Sequence, residues 1–443
     1  MDSGDYEAAL NILAGATDSS SRSLRAVIFE KMGYLHASLA ELVGSYRQRP
    51  NRVIANRAGG LAFLLGETRL IQGLPKDSVG VRLAIAQEEL MAGNIQKAKA
   101  TLPSVQAINS MQASPFKSKA IVLASAIHSA TGNVRAALEV LGGDFPQTAG
   151  VDLAEIRLQR ALVLFEVRKY AEALDELNYI TRASPAWYRG QIVGAWAAFH
   201  VEDYNLALGQ LMNLRSPFLA GKFNPEKHLL QSVVLFQLCH YESAGRAVAK
   251  LREDYGNMND SFSKVSSLTQ NPSKFYDQLK DYSLGKVKQE SSALDKIWDG
   301  ILGQPFIADA SSSIEKLRFE RKNIDERFRS RSMQATRGAL LRIFDKLEET
   351  YKLKIARYSR SLVGKLKNDV KESLEGALAV ELEVNTRVRD RLIKAQLPVQ
   401  KNIDFKKEVE KGFEFWPFQG EFWRDETGGY AFATTDVCEE GAR

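Results

Sequence analysis

Residues 195–207 read Ala195-Trp196-Ala197-Ala198-Phe199-His200-Val201-Glu202-Asp203-Tyr204-Asn205-Leu206-Ala207. This is an alanine-rich apolar run, a polar turn, an aromatic residue and an alanine three places later. The turn and its alanine recur at Gly93-Asn94-Ile95…Ala98, Gly132-Asn133-Val134…Ala137, Arg168-Lys169-Tyr170…Ala173 and Cys239-His240-Tyr241…Ala244. Residues 95, 134, 170, 204 and 241 are 39, 36, 34 and 37 apart, a repeat near 36 residues. Twelve residues before each alanine stands a small residue, Ala86, Ser125, Ala161, Ala195 or Ser232, and four beyond it an aliphatic, Leu102, Leu141, Leu177, Leu211 or Val248. Small residues at both offsets let the two helices of a hairpin approach closely. Pro185 and Pro217 follow two second helices, where one helix stops before the next begins.

These residues resemble the tetratricopeptide repeat, a 34-residue helix–turn–helix. Units at about 80–112, 119–146, 155–185, 189–217 and 226–256 carry the pattern. Two weaker ones precede them at Gly4-Asp5-Tyr6…Ala9 and Gly33-Tyr34…Ala37. The resemblance implies an all-α fold, a tetratricopeptide-type α-solenoid over 1–256. It also implies that the first helix of each hairpin lines a concave surface. The positions so mapped are Leu158, Leu162 and Phe165, then Ile192, Trp196 and Phe199, then Leu229, Val233 and Phe236. Such an apolar stripe receives a helix or an extended peptide of a protein partner. Tighter helix packing, or a downstream helix of the same chain, would fill it equally well.

Composition agrees with helix. Only 12 prolines occur in 443 residues, too few breakers for many short strands. No run of 18 apolar residues exists, so no transmembrane span is expected. Residues 257–313 read as capping or linker helices, and Ser311-Ser312-Ser313 as the cap of the next element. From 314 to 397 there is no proline, and apolar residues recur every three or four positions. They run from Leu340, Phe344, Leu347, Tyr351, Ile355, Leu362, Leu366 and Val370 to Leu374, Leu378, Leu382, Val388 and Leu392. That spacing predicts a long helix or helical hairpin with a coiled-coil-like seam, open to self-association, with Gly338, Gly364 and Gly376 as candidate breaks.

The net charge of +6 is unevenly spread. Residues 314–411 hold 25 Lys and Arg against 16 Asp and Glu, and the last 32 residues hold 2 against 7. The basic stretch supports an alternative function, binding of nucleic acid or an anionic membrane surface. Interleaved acids make a solvated helix face the plainer reading and nucleic acid the lesser partner.

Residues 398–443 form an aromatic-rich tail with seven aromatics between Phe413 and Tyr430. The stretch Trp416-Pro-Phe-x-Gly-Glu-x-Trp-Arg-Asp-Glu426 resembles the tail of envelope-associated tetratricopeptide proteins of deltaproteobacteria, including those tied to gliding motility. Trp416, Phe418, Phe422, Trp423 and Arg424 are its candidate docking residues, expected as a buried aromatic plug or, alternatively, a surface recognition motif.

No phosphate loop, G-x-G-x-x-G, H-E-x-x-H or C-x-x-C occurs, so no cofactor, metal site or catalytic residue is expected. Two cysteines exclude a disulfide framework, and Cys239 reads as a small buried apolar residue. A hydrolase within 257–443 would need a concave cluster of perturbed ionisable groups. The expected function is a non-enzymatic interaction scaffold, which the resemblance places in a bacterial envelope assembly such as one serving motility. The first residues carry no signal peptide. Because they begin in a turn of the repeat, a periplasmic form with its leader removed stands beside a cytoplasmic chain.

Overall fold

The computed structural model describes residues 3–112, 114–142, 152–219, 221–286, 292–393, 409, 412–414, 416 and 419–438. Among these residues the fold is all-helical, without a strand. The helices, in chain order, begin with α1 (Ser3–Ile12), α2 (Ser19–Lys31), α3 (Leu35–Gln48), α4 (Arg52–Leu65), α5 (Val79–Met91) and α6 (Ile95–Thr101). There follow α7 (Val105–Asn109), α8 (Pro115–Ala130), α9 (Val134–Leu141), α10 (Leu153–Glu166), α11 (Tyr170–Asn178), α12 (Pro185–His200) and α13 (Tyr204–Arg215). The last are α14 (Glu226–Gln237), α15 (Tyr241–Tyr255), α16 (Asn259–Leu268), α17 (Pro272–Ser283), α18 (Ser292–Leu302), α19 (Pro305–Arg327) and α20 (Gln334–Ile393).

Successive helices stack in pairs, joined by one recurrent turn. At Gly33, Gly93, Gly132, Arg168, Glu202 and Cys239 the backbone is left-handed, with φ between 60° and 79°. The next residue donates its N–H to the carbonyl five residues back at 2.7–2.9 Å, closing the helix end each time. Three of the six are not glycine, so Arg168, Glu202 and Cys239 carry the strain of a Cβ in that region. All five small residues and all five alanines of the sequence pattern are fully buried. Pro185 opens α12 as its first residue, behind the Ser184 cap, where its missing N–H has no partner to lose.

The chain divides into two compact units that are discontinuous in sequence. The first takes residues 1–153, 268–280 and 302–359, and the second 154–267, 281–301 and 360–443. The four consecutive segments read from the sequence are thus shared between them.

In the first unit α4 and α5 meet at backbone distance. A Cβ on Gly80 would collide with the Gly60 backbone, and one on Gly59 would lie 2.9 Å from Val81 Cγ2. The expected long helix is interrupted, but at 328–333 rather than at any glycine, giving an antiparallel pair α19 and α20. Arg318 Nη2 lies 2.7 Å from Glu348 Oε1 and Arg321 Nη1 2.6 Å from Asp345 Oδ1, while Arg337 reaches Asp325. Ser311–Ser313 lie inside α19 and do not cap its start, because Pro305 already begins the helix.

Polar groups on this pair finish the ends of α3 and α4. The N-cap of α3, Tyr34, offers no side-chain acceptor. Glu320 supplies one from α19: it accepts from the N–H groups of His36 (3.0 Å) and Ala37 (3.0 Å) and lies 2.8 Å from His36 Nδ1, in a fully buried site. At the opposite kind of helix end, Ser313 Oγ donates to the Leu65 carbonyl of α4 at 3.1 Å, and Lys354 Nζ to that of Gly66 at 3.0 Å. An anion at a helix start and a cation at a helix end each complement the macrodipole and the orphan backbone groups.

Candidate functional site

The second unit contains the residues expected to bind a partner. Phe165 (α10), Ile192, Trp196 and Phe199 (α12) and Phe236 (α14) pack on one apolar cluster, and Val380, Val384 and Val388 of α20 pack on the same cluster. Opposite Gly376 sits Leu229, whose Cδ2 would lie 3.1 Å from a Cβ there, so the missing side chain lets α20 approach α14. Arg252 of α15 clamps Glu381, and the Arg391 guanidinium lies 4.5 Å from the centre of the Tyr241 ring. The stripe is therefore occupied by the chain's own helix.

Three expectations change on this evidence. Leu158 is buried in a separate cluster with Ile180 and Ala186, and Leu162 is 40% exposed. Val233 is half-buried. The seam of α20 also slips. Leu378, Leu382 and Leu392 are exposed (49%, 61% and 76%), whereas Ser373, Ala377 and Val384 face inward. Small side chains suit the close approach to α14, so packing overrides the hydropathy pattern.

The two tryptophans of the tail do not plug the stripe, although Phe432, Val437 and Cys438 beyond them pack on the same apolar cluster. The tail runs along α13 and reaches the α14–α15 turn. Arg182 donates to the carbonyls of Asp425 and Thr427, and Gly428 N–H donates to Asn213 Oδ1 at 2.8 Å. Gly209 carries no side chain where the Tyr430 carbonyl passes. Thr434 N–H donates to Asn205 Oδ1 at 3.1 Å, His240 Nε2 lies 2.9 Å from the Thr435 carbonyl, and Val437 N–H donates to the Leu238 carbonyl at 3.2 Å. A disulfide between Cys239 and Cys438, 199 residues apart, fixes the end. This corrects the reading of Cys239 as a simple apolar residue. The pairing depends on the tail folding back, which no local pattern encodes.

Ahead of this anchored stretch two tryptophans face water. Trp416 is 63% and Trp423 43% exposed, with ring centres 5.4 Å apart and planes at 60°. Glu421 accepts from Trp416 Nε1 at 2.9 Å and from Gln419 N–H at 2.8 Å. Hydrogen bonds from its own backbone N–H, from Gln419 and from Trp416 hold its carboxyl below the usual range. Tyr430 Oη accepts from Trp423 N–H at 2.9 Å. Phe422 is half-buried and stacks edge-on against Tyr430 at 5.8 Å. Arg424 is exposed and makes no ion pair with the described residues, and Phe418 lies outside them.

No protein-family model matches this chain, and no curated protein does.

Beside the tail the second unit holds a cavity of about 680 Å³, walled by α13, α14, α15, Lys296 of α18, and Phe432 and Thr434 of the tail. Sequence reading missed it, because its residues come from four helices and the tail. Among the described residues no group of His, Cys, Asp and Glu is arranged to hold a metal ion. No described helix is long and apolar enough to cross a membrane.

Proposed function

We propose that this protein is a non-enzymatic protein–protein interaction scaffold, built of tetratricopeptide-type helix pairs and working in a bacterial cell-envelope assembly such as those that serve motility. The recurrent left-handed turn and the buried small residues at fixed offsets support the repeat assignment. The Cys239–Cys438 disulfide supports an oxidising compartment, the periplasm or envelope.

The observation that carries this reading is the Trp416–Trp423 pair. Two large aromatic side chains stay exposed while hydrogen bonds set their geometry and the following residues are pinned to the repeats. Exposed, preorganised tryptophans are the side chains from which binding hot spots are made. With α20 on the stripe, a protein partner meets the tryptophans first and reaches the stripe only by displacing α20. The basic stretch 314–411 gives the nucleic-acid or anionic-membrane alternative less support. Arg318, Arg321, Arg337, Lys352 and Lys371 each stand within 4 Å of a carboxylate.

Affinity capture from envelope fractions tests the proposal. Trp416→Ala with Trp423→Ala is expected to lower partner recovery at least ~10-fold, each hot-spot residue contributing about 2 kcal/mol or more. Trp196→Glu with Phe199→Glu serves as the stripe comparison. Both folded variants retaining every partner at the original level would reject the scaffold reading.

A further inference from the structure

The lining of the cavity beside the tail carries more basic than acidic side chains. It includes Arg215, Lys227, Arg246, Lys250 and Lys296, against one carboxylate, Asp254. Asp254 is already shared: His228 Nε2 lies 3.1 Å from it, and Lys250 and Lys296 each 3.4 Å. Lys227 is only 7% exposed and lines the cavity, and no described acceptor stands within hydrogen-bond or ion-pair distance of its ammonium group. Arg215, at the rim, likewise makes no ion pair among the described residues, whereas Arg246 bonds Ser243 Oγ at 2.7 Å and stands 4.0 Å from Glu242, and Lys250 also pairs with Glu253 at 3.1 Å.

The Lys227 stem is buried and its ammonium group opens only into the cavity, where bringing a charge away from bulk water is costly unless a counter-charge joins it. Burial holds Lys227 down to about 8, with Lys296, Arg215 and Lys250 acting the same way and Asp254 opposing them. Burial and the Lys227 charge also push His228 below its ordinary value. An anion seated among these groups would offset the repulsion and give Lys227 its missing acceptor. The volume falls within the usual range for small-molecule sites and exceeds what one monovalent ion needs.

We infer that this cavity is a binding site for a small polyanion, a molecule bearing two or more phosphate or carboxylate groups. Lys227 forms its floor, Arg215, Arg246 and Lys250 its rim, and Lys296 its side. Phe432 and Thr434 make the remaining wall, so the site is complete only while the tail is docked. His240 holds that wall, its Nε2 lying 3.0 Å from Thr434 Oγ1.

Isothermal titration calorimetry on the full oxidised chain at low salt, with inorganic pyrophosphate and with citrate, tests this. Saturable binding at one site per chain is expected. Pyrophosphate alone binding assigns phosphate chemistry, citrate alone carboxylate chemistry, and both binding assigns general polyanion recognition. Lys227→Met should weaken binding ~10–100-fold, as loss of a charge-assisted hydrogen bond does. Arg215→Gln, at an exposed position where folding is not at risk, should weaken it ~3–10-fold. Lys371→Met, on the solvent face of α20, should leave affinity unchanged. Absence of binding to both probes overturns the proposal. So does a folded Lys227→Met and an Arg215→Gln that both bind as the parent does, or an equal loss in Lys371→Met, which would mark diffuse charge attraction.

Discussion

The two units hold the carboxy-terminal helices with different balances of contact. In the first, α19 and the beginning of α20 are fixed by charged and polar groups on helix ends: Glu320 on the start of α3, Ser313 and Lys354 on the end of α4. In the second, Val380, Val384 and Val388 of α20 pack on a largely aliphatic cluster, Arg252 clamps Glu381, and a disulfide pins the tail. Hydrogen bonds to charged groups depend steeply on direction and so fix register. Apolar contact has no direction and tolerates sliding, which is where the seam of α20 departs from its leucines.

Removing one side of the comparison should have the largest effect in the first unit. Glu320→Ala leaves two buried N–H groups and His36 without an acceptor and should lower stability by about 3–5 kcal/mol. Glu320→Gln keeps an acceptor and should lose less. Denaturant unfolding reads both, and a loss below about 1 kcal/mol for the alanine variant would mean the buried cap is not what holds α19.

The disulfide is the counterpart in the second unit. Reduction, or Cys438→Ser, should lower protection of the Gly428, Thr434 and Val437 amides by about 2–4 kcal/mol in hydrogen exchange. The amides of α2 and α3 should not change. Equal loosening of both regions would erase the distinction between them.

The Lys227 cavity adds a pH dependence specific to the second unit. Lys227 titrates near 8 when folded, against an ordinary value of 10.5. Below pH 8 both folded and unfolded chains hold the proton, and the cost of the buried charge is fully present. Between 8 and 10.5 only the unfolded chain holds it, so stability should rise with pH, by up to about 3 kcal/mol. Parent and Lys227→Met stabilities, compared over that window, should converge as pH rises. Parallel curves would contradict this burial.

The smallest effect concerns the shared turn. Glu202→Gly relieves a left-handed residue and should stabilise the second unit by about 0.5–1 kcal/mol. Gly132→Ala in the first unit should cost a similar amount. Thermal melts showing no opposite signs would mean the turn strain is absorbed elsewhere.

What was legible in the sequence is what is local. A turn residue, an alanine three positions after it and a small residue twelve before lie within one hairpin, so sequence alone marks them. Glu320 and His36 are 284 residues apart, and nothing around either announces the other. The break at 328–333 escaped because the sequence offers three glycines as alternatives, and helix packing tolerates all three. Gly376 instead lies where a Cβ would crowd Leu229. Cys239 stood in view at a repeat turn, but its partner is brought near only by the docking of the tail. The tail aromatics were visible as a cluster, yet their exposure is set by which of them the hydrogen bonds of Glu421 and Tyr430 hold at the surface.

The occupancy of the apolar stripe by α20 can be measured most directly by a benzophenone amino acid at Val388, a half-buried position on that helix. Illumination should give an adduct within the same chain, to peptides from α10 to the start of α15, with a yield unchanged by dilution. Adducts to a second copy or another protein, or none at all from a folded chain, would contradict the assignment of α20 as the occupant.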